Sequence, residues 1–180
     1  MEKRALCEKS DVRRLFFGLE VRAPWPGTFP QGRIIPEDGR HMTLAFLGNV
    51  AYSPLAKILE EVPKPPFEVG VMGSFEKTLF LPTSRPHVVS WKAQWDKDDE
   101  EKILTYQKEI YRWLKGYGYI LDEREFLPHV TIARKPFVVR EAEAFFVQRH
   151  FFVSNLHLYE TTGRLSYEPI WTWPVRAPSV

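Results

Sequence analysis

Cysteine is almost absent from the sequence, since Cys7 is the only one among 180 residues. A single thiol cannot form an intramolecular disulfide, and it excludes every zinc site that needs more than one cysteine. Disulfide-stabilised secreted proteins are therefore excluded as a class. We expect the chain to fold in the reducing environment of the cytoplasm.

Long hydrophobic runs are also lacking. No stretch approaches the ~18 apolar residues that a membrane-spanning helix needs. The charged residues 1–14 contain no apolar stretch of the kind found in a signal peptide. We therefore expect neither secretion nor a membrane partner.

Neither sign of charge is in large excess, because 25 Lys and Arg residues face 23 Asp and Glu residues, for a net charge of +2. This balance excludes a protein that coats long nucleic acids non-specifically, which would carry a strong positive field. A local site for a small anion remains compatible with it.

Aromatic residues, in contrast, are plentiful, at 14% of the chain with 6 Trp and 13 Phe. Aromatic side chains bury large areas, so we expect most of them in the core. A chain of this length is sufficient for one core, and we expect ~70% of the extended chain's surface to be buried on folding.

Hydrophobic periodicity predicts alternating strands and helices. Apolar residues at every second position predict strands over 14–21, 41–47, 66–75, 88–95, 127–133, 151–159 and 165–173. Helical spacing predicts helices over 53–63, with Ser53 as the N-cap, over 98–115 and over 140–148. This order indicates an α+β fold with mixed or antiparallel sheets covered by helices, and no long polar linker divides residues 1–180 into separate domains.

One internal repeat stands out. His41-Met42-Thr43-Leu44-Ala45 and His129-Val130-Thr131-Ile132-Ala133 share the order His, apolar, Thr, apolar, Ala, and they start 88 residues apart. Positions i and i+2 of a strand project from the same face, so each copy places a histidine beside a threonine. Two such strands related by a pseudo-twofold axis would direct both pairs into one cleft.

The residue types of this repeat suit the cleavage of a phosphodiester. Imidazole titrates near pH 6.5, so one histidine can act as a base while the other acts as an acid, each contributing ~10²- to 10⁴-fold. The hydroxyls of Thr43 and Thr131 can donate to phosphate oxygens, and Arg134 follows the second copy as a further charged donor. We predict no metal site, because neither copy has a carboxylate or a further histidine at i+2 or i+4.

The remaining histidines and the flanking arginines lack this context. His87, His150 and His157 have no Thr two residues later, and we interpret them as surface or edge residues. Three arginines precede or flank the predicted cleft and could contact an RNA backbone, namely Arg33, Arg40 and Arg85, but we interpret them as solvated surface charge.

The motifs resemble a known family. Residues 13–19 (RRLFFGL), 40–48 (RHMTLAFLG) and 128–134 (PHVTIAR) resemble the signature stretches of the two-histidine phosphoesterase superfamily. The branch they resemble most is the RNA 2′,3′-cyclic phosphodiesterases, historically called 2′-5′ RNA ligases. The resemblance extends from about residue 12 to residue 175.

This resemblance implies a bilobal α+β fold, with two pseudo-symmetric lobes of one domain around a central cleft and helices outside. It implies hydrolysis of an RNA 2′,3′-cyclic phosphate to a 2′-phosphate without a cofactor. By motif, His41 matches the proton donor, His129 matches the base that activates water, and Thr43 and Thr131 match the phosphate-binding threonines.

Other functions remain open at this point. A related enzyme could act on small cyclic nucleotides or join 2′-5′-linked RNA reversibly, and a non-catalytic module could bind RNA ends without turnover. The presence of both histidines and both threonines argues against the non-catalytic module. We expect a monomer whose ligands are RNA ends or small cyclic-phosphate nucleotides.

Overall fold

A computed structural model describes residues 11–29, 31–66 and 71–174 of the chain. Its strands are β1 (Val12–Arg22), β2 (Arg33–Ile34), β3 (His41–Ala51), β4 (Met72–Leu81), β5 (Val88–Gln94), β6 (His129–Arg134), β7 (His150–Thr161) and β8 (Tyr167–Pro174). The α-helices are α1 (Tyr52–Ala56), α2 (Lys97–Gly116) and α3 (Val139–Ala144), and short 3₁₀ helices span Glu37–Gly39 and Leu59–Glu61.

All eight strands belong to one sheet, in the order β2-β6-β5-β4-β7-β1-β3, with β8 paired to β7. Every pairing among the described strands is antiparallel. β3 and β6, which begin with the two motif histidines, occupy equivalent positions in this order. Reading outward from the middle of the sheet, β7 and β1 precede β3 on one side, and β4 and β5 precede β6 on the other. The sheet also curls, because β3 and β6 contact each other although they lie towards opposite ends of this order.

The long helix α2 packs against the sheet, where it contacts β3. Its buried stripe is that expected from the sequence, with Ile103, Tyr106 and Ile110 fully buried. The helix begins at Asp96, whose carboxylate accepts a hydrogen bond from the backbone N–H of Asp99. No helix in the described part of the chain is both long and apolar enough to span a bilayer.

Two predicted helices are shorter in the structure. The helix predicted over 53–63 divides into α1 and a 3₁₀ turn, and Ser53 is not its N-cap. The backbone N–H of Ser53 instead donates to the Asp11 carboxylate at 2.6 Å. The apolar spacing identified the buried face correctly, but it carries no information on whether backbone hydrogen bonds span four residues or three. The helix predicted over 140–148 ends at Ala144.

One strand lies later in the chain than predicted. β4 runs from Met72 to Leu81, whereas alternation favoured a strand over 66–75, of which residues 67–70 lie outside the described part of the chain. Pairing explains the shift, because Leu81 is the register partner of Val88 at the turn into β5. Partner strands determine this end, and one sequence does not show them.

Candidate active site

The strand register shows where His41 projects. His41 is the Cα partner of Glu20 on β1, and Arg22, two residues further along β1, is the partner of Phe152 on β7. Phe152 in turn is the partner of Met72 on β4. Because partners on adjacent strands and residues two apart on one strand share a face, these five side chains share one face of the sheet.

The second motif connects to the same face. His129 is the partner of Lys92 on β5, and Gln94, two residues further along, is the partner of Ser74 on β4. Ser74 lies two residues after Met72, so the two lines of register meet on β4. The two histidines and the threonines two residues after them therefore occupy one face, which we call the histidine face.

Both histidines are oriented by the same local contact. Nδ1 of His41 lies 2.7 Å from the carbonyl oxygen of Gly39, and Nδ1 of His129 lies 2.7 Å from that of Leu127. A carbonyl oxygen only accepts, so Nδ1–H is the donor in each case, and the neutral rings carry their lone pairs on Nε2. In both copies Nε2 is thus the nitrogen available for proton transfer.

Aromatic rings enclose His41. Its ring centroid lies 4.6 Å from that of Phe16, 5.0 Å from that of Tyr159 and 4.9 Å from that of Tyr167. Phe16 and Tyr159 stack on each other at 5.1 Å. This enclosure removes water from most of the imidazole.

Gly18 makes room for these rings. A Cβ at this position would lie 3.3 Å from Cε2 of Tyr159 and 3.2 Å from the carbonyl oxygen of Met42. The glycine is required by this close approach, because its backbone conformation is one that any residue adopts. Without a side chain at position 18, the rings on both sides of it can meet beside His41.

Burial disfavours the charged form of both histidines. It lowers the pKa of His41 to about 4, although the Gly39 hydrogen bond acts in the opposite direction, and the positive charges of His129 and Arg134 lower it further. Burial also lowers the pKa of His129 below its ordinary value. Both rings are thus predominantly neutral at pH 7 in the free protein.

The two threonines differ in their neighbours. Thr131 is the register partner of the buried Ser90, and their hydroxyl oxygens lie 3.3 Å apart. Thr43 is the register partner of Gly18, and its side-chain hydroxyl has no hydrogen-bond partner among residues 11–29, 31–66 and 71–174. The hydroxyl of Thr43 is thus free for a ligand, whereas that of Thr131 is oriented by a neighbour.

Arg134, at the end of β6, is close enough for its charge to lower the pKa of His41. Its Nε is buried and lacks a hydrogen-bond partner within the described residues. A buried donor of this kind is costly unless a ligand or water satisfies it. The structure therefore provides an unsatisfied cationic donor beside the first histidine.

His157 is not the surface residue that the sequence indicated. It is 7% exposed, with Nδ1 2.8 Å from the Thr172 hydroxyl and Nε2 3.3 Å from the Glu20 carboxylate. The interpretation was wrong because β7 lies inside the sheet, where cross-strand partners cover the ring. His87 and His150 are exposed, as expected.

Glu20 holds a fixed negative charge beside His41. Burial alone would raise its pKa, but hydrogen bonds from Asn155, Ser154, Arg22 and His157 lower it to about 2. The carboxylate is therefore ionised throughout the range in which histidine titrates.

Arg40 is a second correction. We interpreted it as solvated, but it is 5% exposed, its Nε donates to the carbonyl of Ile35 at 3.1 Å, and its guanidinium lies 4.6 Å from the ring centroid of Trp25. It stabilises the turn that leads into β3 and so helps to place His41. Arg33 and Arg85 are exposed, as predicted.

Sequence reasoning missed several residues of this site. Phe16, Gly18, Ser90 and Tyr159 reach it only through strand pairing. Phe16 and Gly18 lie inside the N-terminal signature stretch, which was their only signal in the sequence. Ser90 and Tyr159 had none.

Within the described ranges no group of three or more His, Cys, Asp or Glu side chains is arranged to hold a metal ion.

The chain matches two curated relatives. It is 29% identical over 157 residues to an RNA 2′,3′-cyclic phosphodiesterase of Geobacillus stearothermophilus, covering 78% of this chain and 47% of the relative. It is 30% identical over 105 residues to a protein of the same name from Archaeoglobus fulgidus, covering 57% and 55%. The chain thus spans about half the length of the curated relatives it matches. No family model matches it.

Solved structures show a closer correspondence in fold. A crystal structure described as a phosphoesterase superposes with a TM-score of 0.65 at 22% identity, covering 92% of this chain and 99% of that chain. Apo Escherichia coli LigT gives 0.62 at 21% identity, covering 91% and 97%. The chain has the fold of these phosphoesterase structures. The predicted α+β class is thereby confirmed, and the predicted resemblance agrees with the names of the two curated relatives. Escherichia coli LigT has also been crystallised with 3′-AMP, and that structure gives a TM-score of 0.62 at 22% identity, covering 91% of this chain and 98% of that chain.

Proposed function

We propose that the protein hydrolyses the 2′,3′-cyclic phosphate ends of RNA to 2′-phosphomonoesters. The observation that carries this proposal is the matched orientation of two His-x-Thr pairs on one face, each with Nδ1 bonded to the carbonyl two residues earlier and Nε2 available. The names of the two curated relatives support the substrate class.

The reaction needs one base and one acid. Neutral His129 accepts a proton on Nε2 from a water molecule as the water oxygen bonds to phosphorus. The bond from phosphorus to the 3′ oxygen breaks, and protonated His41 donates its Nε2 proton to that oxygen. The phosphate stays on the 2′ oxygen. His129 then releases one proton to solvent and His41 takes one up, which restores both rings.

The low pKa of His41 gives the substrate a role in its own cleavage. In the free protein this ring is neutral at pH 7, and the positive charge of Arg134 contributes to that state. A phosphodiester anion beside the ring would offset this positive charge and raise the pKa of His41. We infer that substrate binding and protonation of the acid occur together.

The phosphate itself needs donors. The hydroxyl of Thr43, the hydroxyl of Thr131 and the guanidinium of Arg134 are the groups that we assign to its non-bridging oxygens. The buried Nε of Arg134, which has no partner among the described residues, supports this assignment. We propose no metal and no cofactor in the reaction.

The test uses an RNA oligonucleotide that ends in a 2′,3′-cyclic phosphate, with EDTA present. The expected product is the 2′-phosphomonoester, identified by ³¹P NMR, and His41→Ala and His129→Ala should each reduce its formation by at least ~10²-fold. His87→Ala is the matched control, because His87 is exposed.

Three results would contradict the proposal. A 3′-phosphate product would mean that the wrong bond was assigned, and activity lost in EDTA and restored by a divalent ion would indicate metal-assisted hydrolysis. Binding of RNA with a 2′,3′-cyclic phosphate end without its hydrolysis would indicate a non-catalytic binding module.

A further inference from the structure

A second feature of the histidine face lies away from the His-x-Thr pairs. A depression of about 370 Å³ is open there, and its lining includes Met72, Ser74, Gln94 and His150. Its volume falls within the ~300 to 1,000 Å³ typical of small-molecule sites. None of these residues belongs to the catalytic machinery described above.

The register relates this depression to both histidines. Gln94 lies two residues along β5 from Lys92, the partner of His129, and is itself the partner of Ser74. On the other side, Arg22 lies two residues along β1 from Glu20, the partner of His41. Two residues of a strand span ~7 Å. In this register, Gln94 at the edge of the depression lies one strand across and ~7 Å along the strand from His129, whereas three strand spacings separate β4 from β3, the strand of His41.

Phe152 lies beside the depression, and its aromatic ring is partly exposed to solvent. It is the partner of Met72 on one side and of Arg22 on the other, and it is 44% exposed although β7 is an inner strand. Its neighbour Phe151 is buried and packs 4.7 Å from Phe75. Phe152, in contrast, has no aromatic partner within the described ranges. Phe152 and the neighbouring Met72, which is 66% exposed, form an apolar patch, and its aromatic face is a platform on which a base can stack.

Polar groups surround this platform. The amide of Gln94 donates to the Ser74 hydroxyl at 3.2 Å, which leaves the amide oxygen and a second N–H available. His150 is the register partner of Ser74 and is exposed. Arg22 adds a positive charge on the far side, with its Nε 3.0 Å from the Glu20 carboxylate. The lining, which also includes Asp96, therefore offers both hydrogen-bond donors and acceptors.

We propose that this depression is a nucleobase subsite, in which a base of the RNA stacks on Phe152 and presents its edge to Gln94, Ser74 and His150. This inference rests on the proposed function, because it takes the cyclic phosphate to lie between His41 and His129. It makes Phe152 a specificity-determining residue that contacts the base and leaves the reacting atoms untouched.

The experiment compares kcat/KM on three substrates. They are a base-free methyl riboside 2′,3′-cyclic phosphate, a 2′,3′-cyclic mononucleotide and a trinucleotide with a 2′,3′-cyclic end. Phe152→Ala should lose roughly ten-fold or more on the trinucleotide and nothing on the base-free compound. Phe152→Trp should retain activity because it keeps an aromatic face, and Phe152→Leu should behave like the alanine variant.

Matched controls separate stacking from folding. Tyr117→Ala removes an aromatic ring that is 47% exposed just after α2, and it should alter none of the three rates. The thermal unfolding midpoint of each variant reports whether the fold is intact. A loss on the mononucleotide as well assigns the subsite to the terminal base, and a loss on the trinucleotide alone assigns it to the preceding base.

Equal rates for Phe152→Ala and the wild type on all substrates would overturn the subsite, as would an equal loss on the base-free compound. If the wild type hydrolyses none of the three substrates, the proposed function fails, and the subsite is then tested separately by measuring binding. A trinucleotide ending in a 2′-phosphate should then bind Phe152→Ala at least ~10-fold more weakly than the wild type. Equal binding would overturn the inference.

Discussion

The ring of His41 lies 5.0 Å from the ring of Tyr159, and the two approach each other beside a glycine whose Cβ would lie 3.3 Å from the tyrosine. This contact links the packing of the sheet to the chemistry of the site. It contributes to the burial that lowers the pKa of His41 to about 4. The acid of the proposed reaction is therefore neutral at pH 7 in the free protein.

Opening this enclosure should raise the pKa of His41. Tyr167→Ala removes a half-buried ring 4.9 Å from His41, and Tyr159→Ala removes the stacked ring, so each should admit water and move the pKa from about 4 towards ~6.5. Histidine ring signals followed by NMR titration give the value. A pKa that stays near 4 in both folded variants would show that these rings do not cause the shift.

Acid should destabilise the protein through the same residue. An unfolded histidine titrates near pH ~6.5, whereas the pKa of His41 in the fold is about 4, so the unfolded chain binds more protons between these values. The free energy of unfolding should fall by ~2 to 3 kcal/mol between pH 7 and pH 4 on account of His41.

Urea unfolding at several pH values measures this effect. His41→Gln should lose its share of the pH dependence. Glu20, with a pKa of about 2 in the fold against 4.5 for an ordinary glutamate, adds to the loss only below about pH 5.5, so the part above that pH reports on histidine. An unchanged pH dependence in His41→Gln would contradict the assignment.

Anion binding should be accompanied by proton uptake. Sulfate remains a dianion between pH 5 and pH 8, so any proton taken up on binding must protonate a group of the protein. We expect sulfate to raise the pKa of His41 and its affinity to fall as the pH rises from 5 to 8. Calorimetry in two buffers of different ionisation enthalpy counts the protons.

His41→Ala should remove most of this uptake and Arg134→Gln should weaken sulfate binding, while Arg85→Gln, at an exposed position, serves as the matched charge control. Binding heats that do not depend on the buffer would contradict the coupling.

Much of this site followed from the sequence because its information is local. His41, Thr43, His129 and Thr131 are arranged by the two-residue period of a strand, which can be read directly. The buried stripe of α2 likewise follows from a local pattern, the spacing of apolar residues along the helix. The strand register is not, and so the sequence did not show that Gly18 faces Thr43 or that Ser90 faces Thr131.

Burial was the other quantity that local patterns missed. Arg40 and His157 were predicted at the surface from their residue types, yet they are 5% and 7% exposed. Each is covered by segments distant in sequence, Arg40 by Trp25 and His157 by Thr172. Their burial follows from tertiary contacts, which a local sequence pattern does not show.

The Ser90 hydroxyl should orient Thr131. Ser90→Ala removes the partner 3.3 Å from the Thr131 hydroxyl, and the loss of one hydrogen bond of ~0.5 to 1.5 kcal/mol should lower kcat/KM about 2- to 12-fold. In a double-mutant cycle, Thr131→Ala should cost less when Ser90 is already alanine. Additive losses would mean that the two hydroxyls act independently. Thr43→Ala, whose neighbour is a glycine, should be additive with Ser90→Ala.

The division of labour between the two histidines is the central claim, and the leaving group tests it most directly. The measurement compares kcat/KM of His41→Ala and His129→Ala on a 2′,3′-cyclic RNA end and on a nitrophenyl phosphodiester. A nitrophenolate leaves without a proton, so His41→Ala should lose far less on the activated ester, whereas His129→Ala should be crippled on both because water still needs a base. The reverse pattern, with His129→Ala rescued by the better leaving group and His41→Ala equally defective on both esters, would contradict the account.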